Sequence, residues 1–262
     1  MRAARAIPIV ALDVPSTQHA LRLARTVGSS CRFFKVGSEL FTAEGPDVVR
    51  ALREELGADV FLDLKFHDIP NTVAGGVRNA ARMGARLVTV HAAGGRAMLE
   101  AAAKASREAS DVCDVLAVTV LTSLKASDAA EAWGRIDAID PAQEVVRLAT
   151  LAAEVGVPGV VCGGAEAAAV RAKFGDRLAT LVPGVRAAVA AGEARSTHDQ
   201  ARVVTPAEAA AAGARYVVIG RIVTAAQDRL AAMDRVVAEL AGANAGVNAG
   251  ASAGGSAVQT TG

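Results

Sequence analysis

Eight short runs of apolar, often β-branched residues recur along this chain, each followed by an alanine-rich stretch with helical spacing. The runs span 7–14, 31–37, 59–66, 86–92, 115–121, 159–163, 178–185 and 216–221. No other feature restricts the fold as much. Strands that alternate strictly with helices must pair in parallel, and near-continuous apolar character fits strands covered by helices on one face and by core on the other. Eight such units in 262 residues suit a closed (β/α)8 TIM barrel better than a doubly wound sheet. No GxGxxG follows the first run, which weakens the nucleotide-fold alternative.

Helix signals lie between the runs. Val48, Val49, Leu52 and Leu56 repeat at helical spacing within 46–56. Asp140-Pro141-Ala142-Gln143 and Thr205-Pro206-Ala207-Glu208 each combine an N-cap, a first-turn proline and a capping-box partner. Leu230, Met233, Val237 and Leu240 give the last helix a core stripe. These elements place one catalytic domain over 1–242. Residues 243–262, rich in Gly, Ala, Ser and Asn, have no hydrophobic period and read as a disordered tail.

Composition narrows the function classes. A net charge of +1 gives no global field for nucleic acid or an anionic membrane, so any anionic ligand must be held by local groups. Cys31, Cys113 and Cys162 are widely spaced and form no CxxC pair, which points to a reducing, cytoplasmic setting. Only Ile7 to Leu12 precede Asp13, too few apolar residues for a signal-peptide core or a membrane span. Four scattered histidines without an HxxxH pair make a dedicated metal site improbable, so neither metal nor cofactor is expected.

Charge falls at the carboxyl ends of the apolar runs, where a barrel's βα loops carry its chemistry. Asp13 ends the first run, Lys35 falls near the end of the second, and Asp63 and Lys65 fall at the end of the third, with Asp68 just beyond. Residues two apart share a strand face, so Asp63 and Lys65 point together while Leu62, Leu64 and Phe66 face the helices. A buried ammonium needs carboxylate partners. Asp-x-Lys-x-x-Asp beside Lys35 therefore reads as an alternating network of two lysines and two aspartates, either a structural clasp at the barrel mouth or a catalytic site; four charges at one end favour the latter. A second group lies on the last two runs: Pro183-Gly184-Val185-Arg186, an aperiodic segment suggestive of a lid before Thr205, and Ile219-Gly220-Arg221. Loops after the seventh and eighth strands are the habitual phosphate position in barrels.

These residues also carry a family resemblance. DLKFHDIPNT at 63–72 resembles the signature of bacterial-type orotidine 5′-phosphate decarboxylases. ALD at 11–13, FKVG at 34–37, VTVHA at 88–92, VTVLTS at 118–123, PGVR at 183–186, DQARVVTP at 199–206 and VVIGR at 217–221 follow in that family's order. The resemblance spans about residues 7–240. It implies a cofactor-independent homodimer that converts orotidine 5′-phosphate to UMP and CO2. Lys65 is then the proton donor to C6, and Asp63 flanks the departing carboxylate. Asp68 and Thr72 reach into the partner's site, and Ile69 joins the substrate-binding set. Asp13 and Lys35 hold ribose hydroxyls, with Lys35 also in the charged network, and Thr122 contacts the pyrimidine edge. Arg186, Gln200, Gly220 and Arg221 form the phosphate and lid end. Ile69, Pro70, Val73 and Ala74 suit a subunit interface, and His91 matches a family position where a hydrogen-bonded structural role is expected.

The pattern departs from the family at the phosphate end: Ala187 and Ile222 stand where prolines are usual, and the alanine-rich segment after Arg186 is longer. Two alternatives remain open at this point. One is a related metal-dependent sugar-phosphate decarboxylase or synthase barrel, in which a metal-binding carboxylate stands where Lys35 does here. The other is a non-catalytic barrel that binds a phosphorylated metabolite.

Overall fold

The computed structural model describes residues 6–137, 139–186 and 204–252. Eight parallel strands close into a barrel in sequence order, β1 pairing with β8. They are β1 (Ile7–Ala11), β2 (Phe33–Gly37), β3 (Asp59–Phe66), β4 (Leu87–His91), β5 (Asp114–Val118), β6 (Gly159–Val161), β7 (Ala179–Val185) and β8 (Tyr216–Ile219). The helices are α1 (Thr17–Thr26), α2 (Ser38–Glu44), α3 (Asp47–Leu56), α4 (Pro70–Arg82), α5 (Gly95–Ala109), α6 (Ala126–Ala132), α7 (Pro141–Glu154), α8 (Gly164–Phe174), α9 (Pro206–Ala211), α10 (Arg221–Thr224) and α11 (Arg229–Ser252). This is the (β/α)8 arrangement expected from the alternation. Several strands end sooner than the apolar runs do: β5 stops at Val118 and β6 at Val161, so Thr119–Leu121 and Cys162–Gly163 already belong to loops of the upper face.

The core lies between strands and helices, with Leu62, Leu87, Leu99, Leu116 and Leu148 among its fully buried side chains. Phe66 faces outward as predicted and packs on α4 so closely that a Cβ at Gly76 would lie 3.1 Å from its ring. That contact accounts for a helix-weakening glycine inside α4.

Three local readings need correction. Thr205 and Glu208 do form the reciprocal capping box of α9, but Asp140 caps α7 by accepting from the Ala142 N–H, without the Gln143 partner. The buried stripe of α11 is Ala232, Met233, Val236 and Leu240; Leu230 is exposed and Val237 only partly buried. Met233 and Leu240 keep their expected places, while Ala232 and Val236 take those of Leu230 and Val237. The backbone of α11 continues to Ser252, into the segment read as tail. Residues 253–262 lie outside the described residues.

Candidate active site

A cavity of about 810 Å³ opens at the carboxyl ends of the strands. Much of its lining follows the period of two: Ala11 and Asp13; Phe61, Asp63 and Lys65; Val118, Val120 and Thr122; Leu181 and Pro183; Val218 and Gly220; Leu121, Gly184 and Val185 join it where the chain leaves regular strand. Lys35, Arg186 and Arg221 complete its charged lining. Phe61 and the β5, β6 and β8 valines make an apolar floor and wall, against which a few polar groups can orient a ligand.

The charged residues form two ion pairs rather than one chain. Lys35 Nζ donates to Asp13 Oδ1 at 2.8 Å, and Lys65 Nζ donates to Asp63 Oδ2 at 2.8 Å. The pairs are buried in opposite senses. Lys35 is 13% exposed and Asp13 62%, whereas Asp63 is 14% exposed and Lys65 37%. In the first pair a carboxylate faces the open cavity, and in the second an ammonium does. Gly37 lies beside the first pair, where a Cβ would come within 2.9 Å of Lys35 Nζ and displace the ammonium from its present position.

Asp68 does not join this network. It lies beyond the strand, exposed, and accepts the Ile69 N–H at 2.6 Å. Ile69 is 67% exposed, Thr72 is exposed too, and none of the three lines the cavity of its own barrel. Of the residues read as interface, Val73 and Ala74 are buried within the protomer, because α4 turns them onto the barrel; Ile69 and Pro70 stay outside.

Strand β3 does not keep its simple alternation to the end. Leu62 pairs with Val88 but Phe66 pairs with Val90, so three residues of β3 oppose Thr89. Lys65 sits in this bulge at φ +50, the one non-glycine residue with positive φ among those described. Its N–H leaves the ladder and donates to Thr89 Oγ1 at 2.9 Å, and Thr89 donates to Asp63 Oδ1 at 2.9 Å. Sequence reasoning passed over Thr89; its signal was a lone hydroxyl inside Leu87-Val88-Thr89-Val90. His91, at the end of β4, stacks at 5.2 Å on His67. Its expected structural hydrogen bond is not among those found in the described residues. Burial, chiefly, and then the neighbouring His67 and Lys65 push its pKa below the usual histidine value, against a smaller opposing pull from Asp63.

At the other end of the cavity β7 carries a second bulge, between Val182 and Val185, with Gly184 at φ +72. Arg186 N–H donates to Val204 C=O at 3.0 Å, so the segment between them leaves and returns at neighbouring points. That segment, with Ala187 and Gln200, lies outside the described residues. Gly220 and Arg221 stand at the junction of β8 and α10, with Ile222 also on the cavity wall. Among the described residues no cluster of three or more His, Cys, Asp or Glu side chains forms a metal-binding group, and no helix is long and apolar enough to cross a membrane.

Barrel closure, with paired lysines and aspartates at one side of the mouth and two arginines at the other, defines a (β/α)8-barrel enzyme with a charged cavity at the carboxyl ends of its strands. A model of the orotidine 5′-phosphate decarboxylase / HUMPS family matches residues 7–236, and the chain belongs to that family. It is 48% identical over 233 residues to orotidine 5′-phosphate decarboxylase of Chromohalobacter salexigens, covering 89% of this chain and 95% of that one. It is 52% identical over 230 residues to the Anaeromyxobacter enzyme of the same name, covering 88% and 96%. The crystal structure of orotidine 5′-phosphate decarboxylase from Lactobacillus acidophilus superposes with a TM-score of 0.76 at 33% identity, covering 90% of this chain and 99% of that one.

Proposed function

We propose that this chain decarboxylates orotidine 5′-phosphate to UMP and CO2 without a cofactor, the last step of de novo UMP synthesis. The observation that carries the reading is the Lys65 ammonium, turned toward the cavity and backed by the half-buried Asp63 carboxylate. Loss of CO2 leaves an electron pair on C6 of the pyrimidine. A fixed ammonium stabilises that charge as it develops and then delivers the proton that completes UMP. Asp63 holds the ammonium in place and stands beside the departing carboxylate. The exposed Asp13 carboxylate, fixed by Lys35, accepts from ribose hydroxyls. Thr122 meets the pyrimidine edge, and Arg186, Gln200, Gly220 and Arg221 take the phosphate. Binding energy at that distant phosphate contributes to the barrier reduction that one lysine cannot supply alone.

The family also includes the HUMPS branch. Lys35, seated in an ion pair where the metal-dependent relatives are expected to carry a ligand carboxylate, favours the decarboxylase. The test is loss of orotidylate absorbance on mixing with enzyme in a chelator-containing buffer. Undiminished turnover is expected; a metal requirement would transfer the assignment to the sugar-phosphate branch.

Asp68, Ile69 and Thr72 belong to the partner's site in a cytoplasmic homodimer on this reading, supported by their exposure and their absence from the lining of their own cavity. Mixed Lys65→Ala and Asp68→Ala subunits should regain up to about a quarter of wild-type activity, since half the subunits pair unlike and each such dimer holds one intact site. Verified exchange without recovery would assign Asp68 to its own barrel.

A further inference from the structure

The hydrogen bonds around β3 close into a ring that begins and ends on one residue. The Lys65 N–H donates to Thr89 Oγ1, the Thr89 hydroxyl donates to Asp63 Oδ1, and Asp63 Oδ2 accepts from Lys65 Nζ. The direction of every bond is determined. A backbone N–H can only donate, so the Thr89 oxygen accepts there, and its single hydrogen is left for the carboxylate. Thr89 is 0% exposed and touches no part of the cavity, so a ligand does not reach it.

The ring joins two otherwise unrelated requirements. Lys65 has φ +50, a conformation that is sterically costly for an L-residue with a side chain. Its N–H, displaced from the ladder by the bulge, has the hydroxyl as its partner in place of a strand carbonyl. The same hydroxyl fixes the rotation of the Asp63 carboxylate, so that one oxygen is occupied and the other faces Lys65 Nζ.

We propose that Thr89 is a positioning residue for the reaction, setting both the backbone of Lys65 and the carboxylate that holds its ammonium. This rests on the decarboxylase reading for its kinetic consequence, though the geometry it predicts is testable without substrate. Thr89→Val keeps the side chain's shape and removes the hydroxyl; Thr89→Ser keeps the hydroxyl. Per folded molecule, Thr89→Val should lower kcat about 10- to 100-fold, the usual consequence of displacing a catalytic group by about an ångström. Affinity for UMP should stay within about twofold, since the loss is confined to the reacting state. Thr89→Ser should restore most of the turnover. Should Thr89→Val fail to fold, Thr89→Ser against Thr89→Ala makes the same comparison, both lacking the methyl and differing in the hydroxyl.

A second readout uses no substrate. Acetic anhydride labelling of Lys65, followed by peptide mass spectrometry, should be faster in Thr89→Val than in the wild type or Thr89→Ser, because the ammonium is no longer held on Asp63. Unchanged labelling in Thr89→Val overturns the proposal. So does a kcat that falls only with the folded fraction, or a Thr89→Ser variant as impaired as Thr89→Val. Wild-type enzyme inert toward orotidylate would instead defeat the decarboxylase reading, leaving the labelling comparison to decide the role of Thr89.

Discussion

Two strands of this barrel break register at the mouth of the cavity, and they do so with opposite materials. In β7 the break contains Gly184 at φ +72; in β3 it contains Lys65 at φ +50. Glycine enters the left-handed region without steric cost, and it is the expected residue where only the path of the backbone matters. At β3 a lysine occupies the same kind of conformation, supported by a buried threonine and a half-buried aspartate. The difference indicates what each bulge is for. The β7 bulge shapes a wall beside the arginines, and no side chain is required of the residue that makes the turn. The β3 bulge aims a particular ammonium, so strain is retained there because the side chain is indispensable.

The largest expected effect comes from removing that ammonium. Lys65→Ala should lower kcat by about 10⁴-fold or more, since proton transfer and charge stabilisation are lost together, while UMP still binds. Stopped or steady-state decay of orotidylate absorbance measures it, and a variant retaining a tenth of the wild-type rate would falsify the assignment. At the opposite wall the effect should be smaller and confined to the phosphorylated substrate. Arg221→Ala should reduce kcat/KM for orotidine 5′-phosphate about 10- to 100-fold, the worth of one charge-assisted contact. Orotidine, which lacks the phosphate, should be turned over almost as before; equal losses on both substrates would make Arg221 structural.

Smaller still are the stability differences between the bulges. Gly184→Ala should destabilise the fold by about 1–2 kcal/mol, because a Cβ must enter the left-handed region. On the β3 side, Lys65→Gly should be more stable than Lys65→Ala, reversing the usual order in which glycine weakens a strand. Denaturant unfolding of the three variants measures both, and an alanine variant at 65 more stable than the glycine one would remove strain from the account.

The smallest effect concerns pH. His91 has a folded pKa held below its unfolded value, mainly by burial and then by His67 and Lys65. The unfolded chain therefore takes up the proton first as pH falls. The stability that neutral His91 contributes is present above about pH 6.5, the unfolded value, and is lost as the pH drops through the window down to the folded one. Wild-type Tm should fall more between pH 7.5 and 5.5 than that of His91→Gln; parallel pH dependences would exclude His91 as the source. No matching titration is expected at the β7 bulge, whose flanking residues Val182, Pro183 and Val185 do not ionise.

Much of this arrangement was already determined by the order of residues. Eight alternating units, apolar strand faces and charges two apart at strand ends follow from periodicity, and periodicity is a local property that survives without tertiary context. Asp13, Lys35, Asp63 and Lys65 were assigned to the mouth on that basis, and all four line the cavity. Alternation also predicted that Asp63 and Lys65 would point the same way, and they do, although the strand between them and Phe66 is not regular. The separation of the charges into two inverted ion pairs, the exclusion of Asp68 from its own cavity and the buried stripe of α11 were decided by the tertiary structure. So was the role of Thr89, which is 26 residues from Asp63 in sequence and 2.9 Å from it in space. A hydroxyl in an apolar strand has no partner visible along the chain; only the neighbouring strand, set in register by closure of the barrel, supplies one.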